Sequence, residues 1–124
     1  MTRLAEKTVE RLTGEKQPKD NKFHAKRTWS ELCQRWFASK AEAARGEELA
    51  LCEKAGIGVH DLEYQIKYIL SYKPRVTITI DFMYADDNNQ PVWEDVKEVL
   101  SPNFRTKLAW LEQQKGIKVK MIYG

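Results

Sequence analysis

The sequence predicts an α/β (α+β) fold with a central mixed β-sheet flanked by helices, in the order α-β-β-β-α-β, plus an N-terminal helix. Residues 76–82 and 92–97 alternate apolar and polar side chains, the period-2 pattern of half-buried strands. The polar run of residues 86–91 between them has the composition of a turn, so the two stretches are predicted to form a hairpin. Amphipathic helical patterns before and after these strands complete the order.

The bulk composition is that of one small globular domain. A chain of 124 residues with 31% charged and 42% hydrophobic residues can bury one core. No apolar run reaches the length of a membrane span, and the N-terminus lacks the apolar core of a signal peptide, so we expect a cytoplasmic protein that does not bind a membrane. Cys33 and Cys52 lack metal-ligand spacing and are expected to be free thiols, with a disulfide between them as the lesser alternative.

The N-terminal region is predicted to differ from the rest of the chain. Residues 1–21 are expected to form a short amphipathic helix and a basic linker, and residues 22–124 the folded domain. Lysine and arginine dominate residues 16–27, with Asp20 as the opposing charge. Such a run fits contact with nucleic acid, and it also fits a solvated flexible linker.

The elements that follow are assigned from local patterns. Residues 23–38 are compatible either with two short strands or with one helix. Residues 39–55 form a predicted helix with Ser39 as N-cap and Gly56 as the stop. Its predicted apolar stripe contains five residues, with Glu48 set inside it: Ala41, Ala44, Leu51, Cys52 and Ala55.

The second half of the chain completes the predicted sheet. Residues 62–72 alternate as a strand, residues 103–114 form an amphipathic helix, and residues 117–123 alternate as a last strand. The helix crossover lets this last strand join the antiparallel meander, which makes the sheet mixed.

Three charged residues are expected to converge on this sheet. Asp95 and Lys97 are two positions apart on one strand, so their side chains leave the same face roughly 6.7 Å apart. Asp81, on the paired strand, can lie beside them. Two carboxylates on a half-buried surface need a partner, and a divalent metal ion is a common one. The alternative is a salt-bridged surface cluster.

Several segments together resemble a known family. They are residues 22–28, 37–43, 48–56 and 62–65, then Ile80-Asp81-Phe82 and Glu94-Asp95-Val96-Lys97. In this order and spacing they resemble the PD-(D/E)XK nuclease superfamily. The similarity is greatest to a small phage-encoded nuclease-like family related to endonuclease I-type Holliday-junction resolvases. The resemblance covers about residues 22–123 and implies a restriction-endonuclease-like core.

The resemblance also implies an activity and a site. The activity is metal-dependent hydrolysis of DNA phosphodiester bonds, on branched or replication and recombination intermediates of a phage, by a homodimer. Glu42, Asp81, Asp95 and the backbone carbonyl of Val96 would hold Mg²⁺ or Mn²⁺, and Lys97 would act on the attacking water. Ser39 with Glu42 also matches a capping box, which needs no chemistry.

Other residues are weaker candidates for the site. Glu48 rivals Glu42 as the helix carboxylate, and Gln65 is a possible site residue. Phosphate contacts, which position DNA without reading its sequence, are expected from seven residues: Lys22, Lys26, Arg27, Lys40, Lys67, Arg105 and Lys107. His24 and His60 are expected to be ordinary surface histidines, and Asp86 and Asp87 turn formers.

One departure from the family pattern supports a second hypothesis. Glu98 follows Lys97, where the family usually has glycine. The chain could therefore be a catalytically weak or inactive nuclease-fold protein that binds DNA or a host protein. A third hypothesis is a small phage protein that binds a host protein through its N-terminal helix.

Overall fold

A computed structural model of the protein describes residues 26–124. The predicted N-terminal helix, the basic linker, Lys22 and His24 lie outside these residues. The described residues divide into two compact units, one that ends at Leu51 and one that spans Cys52–Gly124.

The described part of the first unit contains a hairpin of two short strands, β1 (Thr28–Ser30) and β2 (Arg35–Phe37), which pair antiparallel. Residues 23–38 were predicted to form either two short strands or one helix, and the described part of this range forms the two strands. Trp29 lies opposite Trp36, and their rings meet edge to face with centroids 5.5 Å apart, a favourable aromatic geometry. The cross-strand aromatic pair therefore stabilises the hairpin locally.

Helix α1 (Lys40–Ala55) begins where the sequence predicts. The Ser39 side chain accepts a hydrogen bond from the backbone N–H of Glu42 at 3.1 Å, as an N-cap does. The predicted apolar stripe was wrong, since Leu51 and Cys52 are exposed. The buried residues lie on the neighbouring stripe: Glu42, Ala43, Gly46 and Leu49. Alanines occur on several sides of this helix, so counting apolar residues does not identify its buried side.

The second unit contains the mixed sheet. Strands β3 (His60–Tyr72), β4 (Arg75–Ala85) and β5 (Pro91–Lys97) form an antiparallel meander, and β6 (Val119–Tyr123) joins β5 in parallel, giving the order β3-β4-β5-β6. Helix α2 (Pro102–Lys115) makes the crossover between β5 and β6. Within residues 26–124 the fold is therefore α+β, with a mixed four-stranded sheet and two helices, which confirms the predicted class.

Helix α2 is fixed at both ends and covers the core of the second unit. Ser101 caps its N-terminus, and Gly116, at φ 69°, ends it by donating its N–H to the carbonyl of Glu112. The core cluster joins residues from β3, β4, α2 and the loop before β6: Leu70, Ile78, Ile80, Leu111 and Ile117. Phe104, Leu108 and Trp110 of α2 pack against this cluster.

Two further expectations concern the described residues. Cys33 and Cys52 are free thiols, as predicted. Among residues 26–124, no helix is both long enough and apolar enough to cross a membrane.

Candidate functional site

The backbone pairing between strands β4 and β5 ends next to Asp81 and Asp95, which with Lys97 form the predicted charged cluster. Their antiparallel pairing joins residues 82–85 to residues 91–94. Beyond these pairs, β5 continues alongside β6, and the earlier part of β4 continues alongside β3. The next facing positions are Asp81 and Asp95, so the two aspartates stand where the ladder between β4 and β5 ends.

Asp81 and Asp95 connect the two strands through their side chains. The backbone N–H of Asp81 donates to Oδ1 of Asp95 at 3.0 Å, and the N–H of Val96 donates to Oδ2 of Asp81 at 2.8 Å. Both residues are buried, with relative exposures of 6% for Asp81 and 0% for Asp95. Because a buried carboxylate must be compensated by donors, these two bonds help the sheet to accommodate both acids.

Lys97 completes the cluster. Its Nζ lies 2.8 Å from Oδ2 of Asp95, and 31% of its side chain is exposed. The same oxygen is buried. The distance is that of a charge-assisted contact between an ammonium and a carboxylate, so Lys97 compensates this buried oxygen. The structure thus brings Asp81, Asp95 and Lys97 together.

The environment of Asp95 changes its acidity. Burial raises the pKa of its carboxyl above the ordinary value of 3.8, because the charged form loses solvation. The Lys97 ammonium and the hydrogen bond from the Asp81 backbone lower the pKa but do not offset the burial. An additional cation at this carboxylate would favour its ionised form.

Gln65 contacts the cluster from β3. It lies between the Tyr64–Phe82 and Ile66–Ile80 pairs, and its Nε2 is 3.4 Å from Oδ1 of Asp81. Its φ of 53° is in the left-handed region, which is unusual for a non-glycine residue in a strand. Local sequence pattern contains no signal for this conformation.

A further buried carboxylate, Glu94, was not predicted from the sequence. Glu94 has 0% exposure and accepts a short hydrogen bond from the hydroxyl of Tyr84, which is also buried. The available signal was its position between Val92 and Val96 on the apolar face of the strand, since a carboxylate there needs a donor. Tyr84 could not be assigned as that donor before the pairing register was known.

The two helix carboxylates differ within their own unit. Glu42 is buried, with 4% exposure, and its backbone N–H is bound by the Ser39 cap. Glu48 is exposed and forms an ion pair with Arg45 at 3.0 Å. The expectation that Glu48 lies inside a buried stripe was therefore wrong.

The predicted DNA contacts lie on several elements. Lys26, Arg27 and Lys40 belong to the first unit, and Lys26 and Lys40 are exposed. In the second unit, Lys67 is exposed on β3, while Arg105 is exposed and Lys107 half-buried on α2. Lys67 also lies opposite Thr79 in the sheet.

His60 and Asp87 form a contact that the sequence did not predict. Oδ1 of Asp87 accepts the backbone N–H of Gly58 at 2.9 Å and lies 2.8 Å from Nε2 of His60. His60 is thus more than an isolated surface histidine, and Asp87 does more than form the turn. Asp86 does act as a turn former, since its side chain accepts the N–H groups of Asn88 and Gln90.

The donor atoms can be tested against a bound Mg²⁺ or Mn²⁺ ion. Within residues 26–124, no group of three or more His, Cys, Asp or Glu side chains is arranged to hold a metal. Mg²⁺ is commonly held by one or two carboxylates and keeps several waters. Asp81 and Asp95 supply two neighbouring carboxylates, and within residues 26–124 Oδ2 of Asp95 has the Lys97 ammonium as its partner, a cation that a metal ion could replace. These two residues therefore fit an ion of this kind.

Comparison with known proteins adds no relative to this description. No protein-family model matches the chain, and no curated protein or solved structure matches it significantly.

Proposed function

We propose that this protein is a metal-dependent endodeoxyribonuclease with a PD-(D/E)XK-type site on a restriction-endonuclease-like core. The observation that carries the proposal is the buried pair Asp81–Asp95 with Lys97 ion-paired to it, where β4 and β5 part. The resemblance of the sequence to this superfamily supports the same assignment of Asp81 and of Asp95-Val96-Lys97.

The residues of the chain have separate roles in the proposed reaction. Asp81 and Asp95 bind the metal ion, and their hydrogen bonds with the backbone hold them in place. When bound, the ion supplies a more acidic water ligand and neutralises charge on the phosphate. Lys97, with 31% of its side chain exposed, orients the water or stabilises the charge that develops on the phosphate oxygens.

The proposed substrate is branched DNA or another replication or recombination intermediate, and the proposed assembly is a homodimer. A two-fold dimer places two equal sites so that two strands can be cut symmetrically. Lys67, Arg105 and Lys107 are proposed to contact phosphates. The dimer is tested by measuring the molar mass in solution by light scattering, with and without a four-way junction.

The activity is tested by incubating the protein with a labelled four-way junction, in the presence and absence of Mg²⁺ or Mn²⁺. Matched duplex and single-stranded DNA define the substrate class. The variants are Asp81→Asn and Asp95→Asn, which keep the shape and one acceptor oxygen of each side chain. Asp61→Asn is the control, because Asp61 is exposed and at φ 55°, where asparagine is equally well tolerated.

The proposal expects metal-dependent cleavage by the wild type and by Asp61→Asn, and loss of cleavage in both cluster variants. Equal cleavage by all four proteins would contradict the assignment of the site. Tight DNA binding without cleavage would favour the inactive nuclease-fold hypothesis, for which Glu98 after Lys97 is the motivating feature. Absence of both binding and cleavage would redirect the search to a protein partner.

A further inference from the structure

Lys97 contacts an aromatic ring as well as a carboxylate. Its Nζ lies 4.4 Å from the centroid of the Phe104 ring and 2.8 Å from Oδ2 of Asp95. A cation within about 6 Å of a ring centroid and over its face is attracted by the quadrupole of the ring. The ammonium is thus held from two directions, by a charge and by a π-face.

Phe104 is anchored by the helix that carries it and by the core of the second unit. Phe104 lies in the first turn of α2, where its backbone N–H donates to the Oγ of the capping Ser101 at 3.2 Å. Its side chain packs against the core cluster. Lysine, by contrast, carries its charge at the end of a flexible four-carbon chain that loses entropy when it is held in one geometry.

We propose that Phe104 is a positioning residue that holds the ammonium of Lys97 beside Asp95. Burial of the ring against the core is by itself explained by packing, but packing does not require the face of the ring to lie under a cation. Residue 104 then restricts the positions that Lys97 can sample, and this restriction orders the ammonium before substrate binds. The catalytic consequence rests on the proposed nuclease activity, whereas the placement of Lys97 does not.

The placement is tested by NMR of the full-length protein without added metal. The protons on Cε of Lys97 should show an upfield ring-current shift in the wild type. Phe104→Leu keeps an apolar side chain but removes the π-face, so the shift should be lost. Phe104→Tyr keeps the face and should retain it. Leu108→Ala, which loses packing against the same cluster one turn further along α2, is the control and should leave the shift in place.

The catalytic consequence is tested by cleavage kinetics with the same variants. Since cation–π contacts of partly exposed groups are weak, Phe104→Leu should lower kcat only about fivefold. The KM for DNA should be nearly unchanged, because Lys97 remains present and charged. Phe104→Tyr should restore the rate. A merely structural role would give Leu108→Ala and Phe104→Leu the same effect.

The NMR test and the kinetic test have separate outcomes that would contradict the proposal. If the Lys97 shift is the same in Phe104→Leu and wild type, the positioning proposal is overturned whatever the activity. If the shift disappears in Phe104→Leu but its kcat equals that of wild type, Phe104 places Lys97 without affecting catalysis, and the catalytic part of the proposal is overturned. If the wild type cleaves no DNA under any condition, the nuclease proposal fails, and the NMR comparison alone decides whether Phe104 places Lys97.

Discussion

Asp81 and Asp95 each bind the backbone at or beside the other residue. The amide of Asp81 donates to the carboxylate of Asp95, and the carboxylate of Asp81 accepts the amide of Val96, which follows Asp95. Both acids are thus part of the connection between β4 and β5 at the point where the ladder ends. Substitutions at these positions consequently affect stability as well as any chemistry, and the two effects have to be separated.

Asp81→Ala and Asp81→Asn are expected to differ in stability. Alanine leaves the buried N–H of Val96 without its carboxylate acceptor, which costs about 1–3 kcal/mol in the free energy of unfolding. Asparagine can still accept that bond through its amide oxygen, so its cost should be smaller. Urea unfolding of both variants measures the difference. Equal stability of the two variants would show that the bond contributes little.

Asp95→Asn is expected to be more stable than wild type at neutral pH. Burial raises the pKa of Asp95, so the folded state binds this proton more tightly than the unfolded state does. The stabilisation from this group is complete below its unfolded pKa, near 3.8, and is lost as the pH rises through the higher folded pKa. A neutral asparagine avoids that loss.

Unfolding curves recorded between pH 3 and pH 7 check this expectation. The advantage of Asp95→Asn should grow as the pH rises through this range. Asp61→Asn, the same change at an exposed site, is the control for the substitution itself. If the stability advantage of Asp95→Asn over wild type shrinks as the pH rises, the ion pair with Lys97 outweighs the desolvation of Asp95.

The strands were predictable from sequence because the period-2 alternation of apolar and polar residues describes each of them. Alternation identified β3, β4 and β5, and the spacing of Asp95 and Lys97 along a strand was enough to place their side chains together. The buried side of α1 was not predictable, because alanine is apolar yet too small to mark one face. Exposed Leu51 illustrates the point.

Contacts across strands required information that local patterns lack. The Glu94–Tyr84 bond depends on the register of β4 against β5, and the contact of Gln65 with Asp81 depends on a left-handed residue within β3. The His60–Asp87 contact joins residues 27 positions apart. None of these relationships is encoded in the period of one element.

Tyr84→Phe is expected to destabilise the protein. It removes a hydroxyl donor from the carboxylate of Glu94, which has 0% exposure, and a buried acceptor that loses a donor costs about 1–3 kcal/mol. Thermal and urea unfolding measure the effect. Tyr72→Phe is the matched control, because Tyr72 is 74% exposed and should tolerate the change. Equal stability of the two variants would remove Tyr84 as a significant donor.

Asp87 is expected to titrate below the ordinary carboxyl pKa of 3.8. The hydrogen bond from His60 lowers its pKa most, and the backbone N–H of Gly58 lowers it further. An NMR titration of the Asp87 carboxyl carbon measures the value directly. In His60→Ala the pKa should rise toward the ordinary value, whereas Asn88→Ala, a change in the same turn, should leave it low. An unchanged pKa in His60→Ala would contradict the contact.

Lys97→Met is expected to bind Mn²⁺ more tightly than the wild type while failing to cleave DNA. In the described structure the ammonium of Lys97 lies 2.8 Å from Oδ2 of Asp95, an oxygen that the proposed metal ion would also need. Two cations at one carboxylate repel each other, so removing one favours the other. Methionine keeps most of the apolar stem of lysine.

Calorimetric titration of metal into wild type, Lys97→Met and Lys107→Met separates this effect from a general change in charge. Lys107→Met removes the same charge from α2, and this variant should bind the ion with nearly the same affinity as wild type. Asp95→Asn should bind it more weakly than all three. Weaker binding by Lys97→Met than by wild type would mean that Lys97 supports the ion and does not compete with it. Binding by Asp95→Asn as tight as wild type would place the ion elsewhere.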